Sequence, residues 1–430
     1  MKKSTILEFL RSKFAGDMIW NGVSFALSAL LLMLVNAAII YKRDSAALGC
    51  FNLVYAVYMF VSQLAVGGIH ASVLSYVSKH TDTPDRCRTI LYSALLVVAA
   101  LSTGVALLLV AVSPLMTSWY GAMAGFGFLL SIPGVILFSF NKIFQVFFNA
   151  YSRMKVLSVI FLLRALGIFI WTLLILQFEI SSSWLAAGFS FTEIPVLLFS
   201  FYYLERRLLP FQRPSGRLEM IQWAKKHCSF GFRGCMSGVL ISMNSHLDVL
   251  IMGLFLPMNL VGLYSFAAMY AEGFSQSTQI IRRQLDPYWG RFFAAGDIPS
   301  MNELARKVRL YLWPCMTAGG LGLVVLFPVF LHLFKPTMDV AACSIVFGIL
   351  IAGNVITAPY RSCTGILLQG GRPGTYTTLI VGMLIFGVIS NLVLLYYFGM
   401  YGTAVAVVLS QLFYALALLM LARRLFLVKL

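Results

Sequence analysis

The sequence predicts an all-α polytopic membrane protein: about twelve transmembrane helices in two six-helix bundles related by an internal repeat, with both termini cytoplasmic. Three observations predict it. Of 430 residues, 60% are hydrophobic and 11% charged, with a mean hydropathy of +0.88, whereas a soluble domain is about a quarter charged. Apolar windows of about 20 residues, enough to cross about 30 Å of hydrocarbon, recur along the whole chain. The second half also echoes the first. Sliding the chain by 212 to 219 positions lays Leu34-Val35-Asn36 on His246-Leu247-Asp248, Gly49 on Gly262 and Ser62-Gln63 on Ser275-Gln276. The same slide lays Lys142 on Arg361, Arg153 on Arg372 and Arg206-Arg207-Leu208 on Arg423-Arg424-Leu425, and matches that keep chain order mark a duplication.

The elements follow in order. Met1 to Phe14 is basic and runs into an apolar stretch too long for a signal-peptide core and without a small-residue cleavage site, so the first span is expected to be retained. The windows fall near 18–40, 46–70, 90–113, 122–148, 157–178, 184–204, 228–252, 258–281, 308–333, 340–367, 376–398 and 401–422. Residues 1–204 form the N-terminal bundle, 205–227 a cytoplasmic linker carrying Pro210, Pro214 and Gly216, and 228–430 the C-terminal bundle. The connections Pro114 to Gly121 and Leu256 to Asn259 are short. Arg282 to Lys307 reads as an amphipathic surface helix broken by Gly296 and Pro299.

Orientation comes from the loops. A net charge of +17 points to nucleic acid in a soluble protein, but here it concentrates in alternate connections, and that is topology. The basic set runs from Lys2, Lys3, Arg11 and Lys13 through Lys79, Arg86 and Arg88 to Arg423, Arg424 and Lys429. The opposite set holds only Lys42, Arg43 and Lys335. The positive-inside rule then places both termini of a multi-pass protein in the cytoplasm, and the charge calls for no nucleic-acid partner.

Charges inside the spans are the candidate functional groups, since each costs roughly 2.5–3.5 kcal/mol on insertion scales and needs a partner or water. Lys142, Arg164, Arg233 and Arg361 share one side, roughly 8–12 Å from the cytoplasmic helix ends at 1.5 Å per residue. They read either as a cationic acceptor for an anionic head group, with Arg suited to bidentate phosphate contact, or as snorkelling side chains and partners of nearby carboxylates. The acids Glu193, Asp248 and Glu272 lie nearer mid-span and are coupling-ion candidates for H+ or Na+. Glu193 and Arg164 sit on adjacent spans and are also read as an ion pair; Asp248 and Glu272 have no evident partner in the sequence.

His70, His246 and His332 are isolated and read as packed or interfacial. Pro133, Pro195, Pro314 and Pro359 fall inside spans, where they kink helices and free carbonyls. Tyr55, Tyr58, Phe60, Tyr264 and Tyr270 either pack or line a sugar path. The seven cysteines are odd in number and scattered without ligand spacing, so no metal and no cofactor is expected. There is no Walker A loop, no GxSxG and no HExxH, which argues against an enzyme.

The phrase Val261-Gly262-Leu263-Tyr264-Ser265-Phe266-Ala267 resembles the polysaccharide transporters of the multidrug/oligosaccharidyl-lipid/polysaccharide exporter superfamily, the O-antigen flippase type in particular. So do the loop Gln284 to Asp297 with Pro287 and Ala294-Ala295-Gly296-Asp297, the stretch Gln369-Gly370-Gly371-Arg372, and Tyr401-Gly402-Thr403-Ala404-Val405-Ala406. The resemblance implies two six-helix bundles that open alternately to each side. It also implies export of an undecaprenyl-pyrophosphate-linked oligosaccharide during lipopolysaccharide assembly, ion-gradient coupled, beside a glycan polymerase machinery. A multidrug or cation antiporter of the same superfamily is the first alternative, and a membrane glycan polymerase or ligase the second. The antiporter predicts intramembrane charge dominated by carboxylates.

Overall fold

A computed structural model of the protein describes residues 13–210, 216–335, 337–428 and 430; within them, the side chains of 13–19, 21, 217, 232–245, 283 and 287 are left undescribed. Among the described residues the chain is nearly all helix. Among the described residues, nine helical segments are long and apolar enough to cross a membrane. Their exposed apolar side chains, such as Leu107 (67% exposed) on one helix and Val325 (68%) on another, would be untenable in water and are suited to lipid.

The first helices are α1 (Lys13–Lys42), α2 (Ser45–Val66) and the short α3 (Ile69–Val77). The predicted window 46–70 is one apolar run, yet the helix breaks inside it. Gly67 and Gly68 take φ of 56° and 71°, a left-handed pair that glycine alone adopts cheaply, so α3 leaves α2 at an angle. Next come α4 (Pro84–Tyr120), with Pro84 in the first turn, and α5 (Ala122–Ala150). The expected connection Pro114 to Gly121 shrinks to Gly121, because α4 carries Pro114 as an internal residue and continues to Tyr120. A proline removes one intrahelical bond without ending a helix that neighbours hold straight.

After α6 (Met154–Gln177), residues 182–208 form a broken helix: a 3-10 turn Ser182–Ala187, α7 (Gly188–Phe191), α8 (Glu193–Tyr203) and a π turn Leu204–Leu208. Then follow α9 (Arg217–Phe255), α10 (Met258–Ala295), α11 (Ile298–Phe334), α12 (Val340–Ser362), α13 (Gly365–Gln369) and α14 (Pro373–Phe426). All the predicted windows fall on these elements. The predicted surface helix between Arg282 and Lys307 is instead the continuation of α10 and the start of α11, which turn about Gly296. There Asp297 caps α11 by accepting the Ser300 amide (3.0 Å) and hydroxyl (2.6 Å), and Pro299 starts a helix rather than breaking one. The windows 376–398 and 401–422 lie in α14, which doubles back at Gly399 into an antiparallel pair. Thr403 donates to Asn391 (3.1 Å) and Phe413 stacks on Phe386 (4.9 Å) across it.

The chain divides into two compact units, Met1–Arg43 with Cys50–Ser242, and Asp44–Gly49 with Met243–Leu430. The expected linker 205–227 lies inside the first, and of its turn residues Pro214 lies outside the described residues. In the first unit α1 packs on α6 and α4 on α5, around a core of Ile69, Val73, Ile143, Phe147, Ile160 and Val196. In the second, α12 packs on α10, α11 and α14, and Trp289, Met301, Cys363 and Leu418 form a core. One bond recurs in each unit: Asn52 donates to Asn36 (2.8 Å), and 212 residues on Tyr264 donates to Asp248 (2.6 Å). The internal repeat read from the sequence thus places equivalent polar contacts at equivalent positions.

Candidate functional site

The first unit gathers its buried charges where the broken helix 182–208 meets α5 and α6. Close approach is possible because α5 and α6 present glycine. A Cβ on Gly134 would lie 2.6 Å from the Phe189 carbonyl oxygen, and one on Gly167 would lie 2.6 Å from Thr192. Pro133 leaves α5 without one intrahelical bond, as its position predicted. Beside it Ser190 inserts its hydroxyl, donating to the Leu130 carbonyl (2.6 Å) and accepting from the Gly134 amide (2.9 Å). That bridge fixes the segment leading into Glu193, the first residue of α8.

Glu193 is 1% exposed and fully engaged. Arg164 on α6 donates to it twice, Nε to Oε1 at 2.5 Å and a terminal nitrogen to Oε2 at 2.9 Å, while its guanidinium lies 5.0 Å from the Phe138 ring centre. Asn141 on α5 donates to the same Oε2 (2.7 Å) and to the Glu193 carbonyl (2.9 Å). A bidentate pair with its remaining lone pairs satisfied is how a buried charge is tolerated. Arg164 therefore carries a balanced charge and sits with the ion-pair reading rather than with an open acceptor.

Lys142, one residue on from Asn141, differs. It is half-buried, and among the described residues it makes no hydrogen bond or ion pair, although it interacts electrostatically with both Arg164 and His70. In the second unit Arg361, on the last turn of α12, forms no ion pair among the described residues either. Its nitrogens donate to neutral oxygens, Asn354 Oδ1 (2.9 Å) and Ser275 Oγ (3.2 Å), and Asn354 is held in turn by donating to the Ala271 carbonyl (3.1 Å). Glu272 lies within electrostatic reach of Arg361 but accepts its hydrogen bond from Gln276 (2.6 Å). Asp248 accepts from the Tyr264 hydroxyl and from the Val249 amide (2.9 Å), with His246 close enough to feel its charge. The side chain of Arg233 lies outside the described residues.

Sequence reasoning brought Arg164 and Glu193 together and missed three partners. Gln276 is four residues from Glu272, a spacing that puts both on one helix face and was readable. Tyr264 meets Asp248 only through the α9–α10 turn, and Asn141 meets Glu193 only through the bend at Ser190; neither leaves a spacing signal. Among the described residues no three His, Cys, Asp or Glu side chains group as metal ligands.

With this geometry in hand, three comparisons place the chain. The profile of a family described as polysaccharide biosynthesis protein matches residues 17–281. No curated protein is significantly similar in sequence. Among solved structures, the lipid II flippase MurJ in an inward closed conformation superposes with a TM-score of 0.76 at 13% identity, over 94% of this chain and 87% of that one. An inward-facing multidrug resistance MATE family transporter of the MOP superfamily gives 0.72 at 12% identity, over 92% and 94%. A MOP superfamily transporter from Pyrococcus furiosus, described as having a binding pocket of reverse polarity, gives 0.59 at 12% identity, over 97% of each chain. The fold is therefore shared with these flippase and exporter structures, as the sequence resemblance implied.

Proposed function

Because the chain belongs to the polysaccharide biosynthesis protein family and carries the fold of flippases and exporters, we propose that it is a flippase. It moves an undecaprenyl-pyrophosphate-linked oligosaccharide across the bacterial inner membrane by alternating access, driven by a gradient of H+ or Na+. The observation that carries this reading is the state of Lys142 and Arg361. Both are intramembrane cations with no carboxylate in contact among the described residues, and they occupy matching positions of the repeat. A cation left this way in a low-dielectric medium attracts an anion, and a phosphate satisfies both its charge and its donors.

Each group then has a task. Lys142 in the first unit and Arg361 in the second are each an acceptor for phosphate. The sugar, which lipid cannot solvate, exchanges its water for polar side chains, and the isoprenoid stays in the bilayer. Arg164 and Glu193 hold α5, α6 and α8 in register, so their charge does not enter substrate binding. Asp248, held by a tyrosine rather than a fixed cation, is the group that exchanges a coupling ion; Glu272 beside Arg361 links ion occupancy to the anion site. Arg233 is kept as a further acceptor on its sequence position.

The test is transbilayer movement of an undecaprenyl-pyrophosphate oligosaccharide in proteoliposomes. Wild-type movement that falls about tenfold or more in Lys142→Ala and Arg361→Ala, at unchanged folding, supports the reading; that loss is the size expected for one charge-assisted contact. Expulsion of a cationic dye with no lipid movement would replace it with the antiporter.

A further inference from the structure

The polar groups around Lys142 do not end with the ammonium. Gln145 lies three residues along α5, on the same face, and is buried; its amide nitrogen has no hydrogen-bond partner. His70 stands in the first turn of α3, which packs on α5 through Ile69 and Val73 against Ile143 and Phe147. Its Nδ1 is likewise buried and unpartnered, and its ring interacts electrostatically with Lys142. All three belong to the first unit. One acceptor is left over nearby, Asn141 Oδ1, whose own amide nitrogen is committed to Glu193.

Buried polar atoms are paired in nearly every folded protein, by protein or by ordered water. Water could complete Gln145 and His70, but it cannot balance the charge of Lys142. An anion does both. An ammonium, an amide and an imidazole nitrogen contributed by two packed helices suit a tetrahedral oxyanion better than a planar carboxylate, because the groups do not come from one planar fork.

We propose that Lys142, Gln145 and His70 form a phosphate-binding cradle, with Gln145 and His70 orienting the phosphate that Lys142 attracts. The cradle deepens the flippase reading and rests on it: the phosphate is the one nearer the lipid or the sugar in the pyrophosphate linkage. Arg164 is not part of it, since Glu193 occupies its donors.

The experiment uses the purified full-length protein in detergent, titrated with inorganic pyrophosphate, with undecaprenyl pyrophosphate and with phosphatidylglycerol. Dissociation constants are read for wild type, Gln145→Leu, His70→Phe and Lys142→Met. The cradle requires that wild type bind pyrophosphate, that Gln145→Leu and His70→Phe each weaken it about tenfold, the size of a lost bond to a charged group, and that Lys142→Met abolish it. Equal binding by wild type and Gln145→Leu overturns the proposal, as does an absence of pyrophosphate line broadening in the phosphorus NMR of the wild type, a measurement that needs no variant to fold. Tightest binding of undecaprenyl pyrophosphate assigns the lipid-linked source; tightest binding of phosphatidylglycerol makes the cradle a lipid head-group site and overturns the substrate assignment. Transport separates the two readings. Wild type that binds pyrophosphate but moves no lipid sinks the flippase and leaves the cradle, whereas lipid movement unchanged in Gln145→Leu and His70→Phe sinks the cradle alone.

Discussion

Arg164 and Glu193 form a two-point ion pair, at 2.5 and 2.9 Å, between α6 and the first residue of α8. The pair makes a prediction that separates structure from transport. Glu193→Gln leaves a buried guanidinium without its counter-charge and lowers stability by roughly 3–5 kcal/mol. Replacing both, Arg164→Met with Glu193→Leu, recovers most of that loss. Thermal unfolding in detergent reads both; a single variant as stable as wild type would show that the charge of Arg164 is balanced by something other than Glu193.

Ser190 serves two backbone groups at once. Ser190→Ala deprives the Leu130 carbonyl and the Gly134 amide of their partner beside Pro133, at a cost of about 1–3 kcal/mol for buried groups left unmade. Hydrogen exchange at Gly134 is the direct readout, and protection unchanged from wild type refutes the bridge. Ser190→Thr, which keeps the hydroxyl, restores part of the protection.

His227, ahead of the predicted span 228–252, is fully buried, with its ring against Tyr76 and Trp223 and a hydrogen bond to Ile90 of α4. Its Nε2 donates to the Ile90 carbonyl (3.1 Å), and its Nδ1 shares a hydrogen bond with the Ser72 hydroxyl (2.6 Å), which also reaches the Ile69 carbonyl (2.8 Å). Burial pushes its pKa down to about 4 from 6.5. Because the released segment binds a proton more readily than the docked one, docking is at full strength above pH 6.5 and weakens as pH falls towards 4. The total loss is roughly 3 kcal/mol. Fluorescence of Trp223, monitored in a variant whose other tryptophans are replaced, follows the release; a signal flat from pH 7 to 4, or one equally pH-dependent in His227→Gln, refutes the assignment.

Asp248→Asn keeps an acceptor for the Tyr264 hydroxyl but removes the charge. Transport that loses its dependence on the H+ or Na+ gradient, with the fold intact, is the expected outcome. Gradient-driven movement equal to wild type would transfer the coupling role to Glu272, and Glu272→Gln is the matched variant.

Most of the architecture was legible because hydropathy reports burial in lipid directly: every predicted window found a helix. The departures have local causes. Hydropathy is blind to φ, so the break at Gly67 and Gly68 passed unseen within an apolar run. It is equally blind to what lies beyond the bilayer, so the stretch from Arg282 to Lys307 was read as a surface helix when it is the far ends of α10 and α11. Proline overstated the end of α4, since Pro114 sits inside it. At the site, adjacency of spans was enough to pair Arg164 with Glu193. Asn141 and Gln145 were passed over, and His70 was read as packed or interfacial, because a single amide or imidazole in an apolar helix has no periodicity. Their interest lies in what they fail to bond, which only three dimensions display.

The contact shared by the two halves has a historical meaning. Asn36 with Asn52 and Asp248 with Tyr264 are one contact repeated at matching positions of the duplicated pattern. In the first copy both parts are amides, indifferent to acid and to salt; in the second they are an acid and a phenol. On the proposed coupling role of Asp248, only the second copy of this contact can respond to a gradient, and the first is a neutral fastening: the scaffold is repeated while the response to ions is confined to one unit.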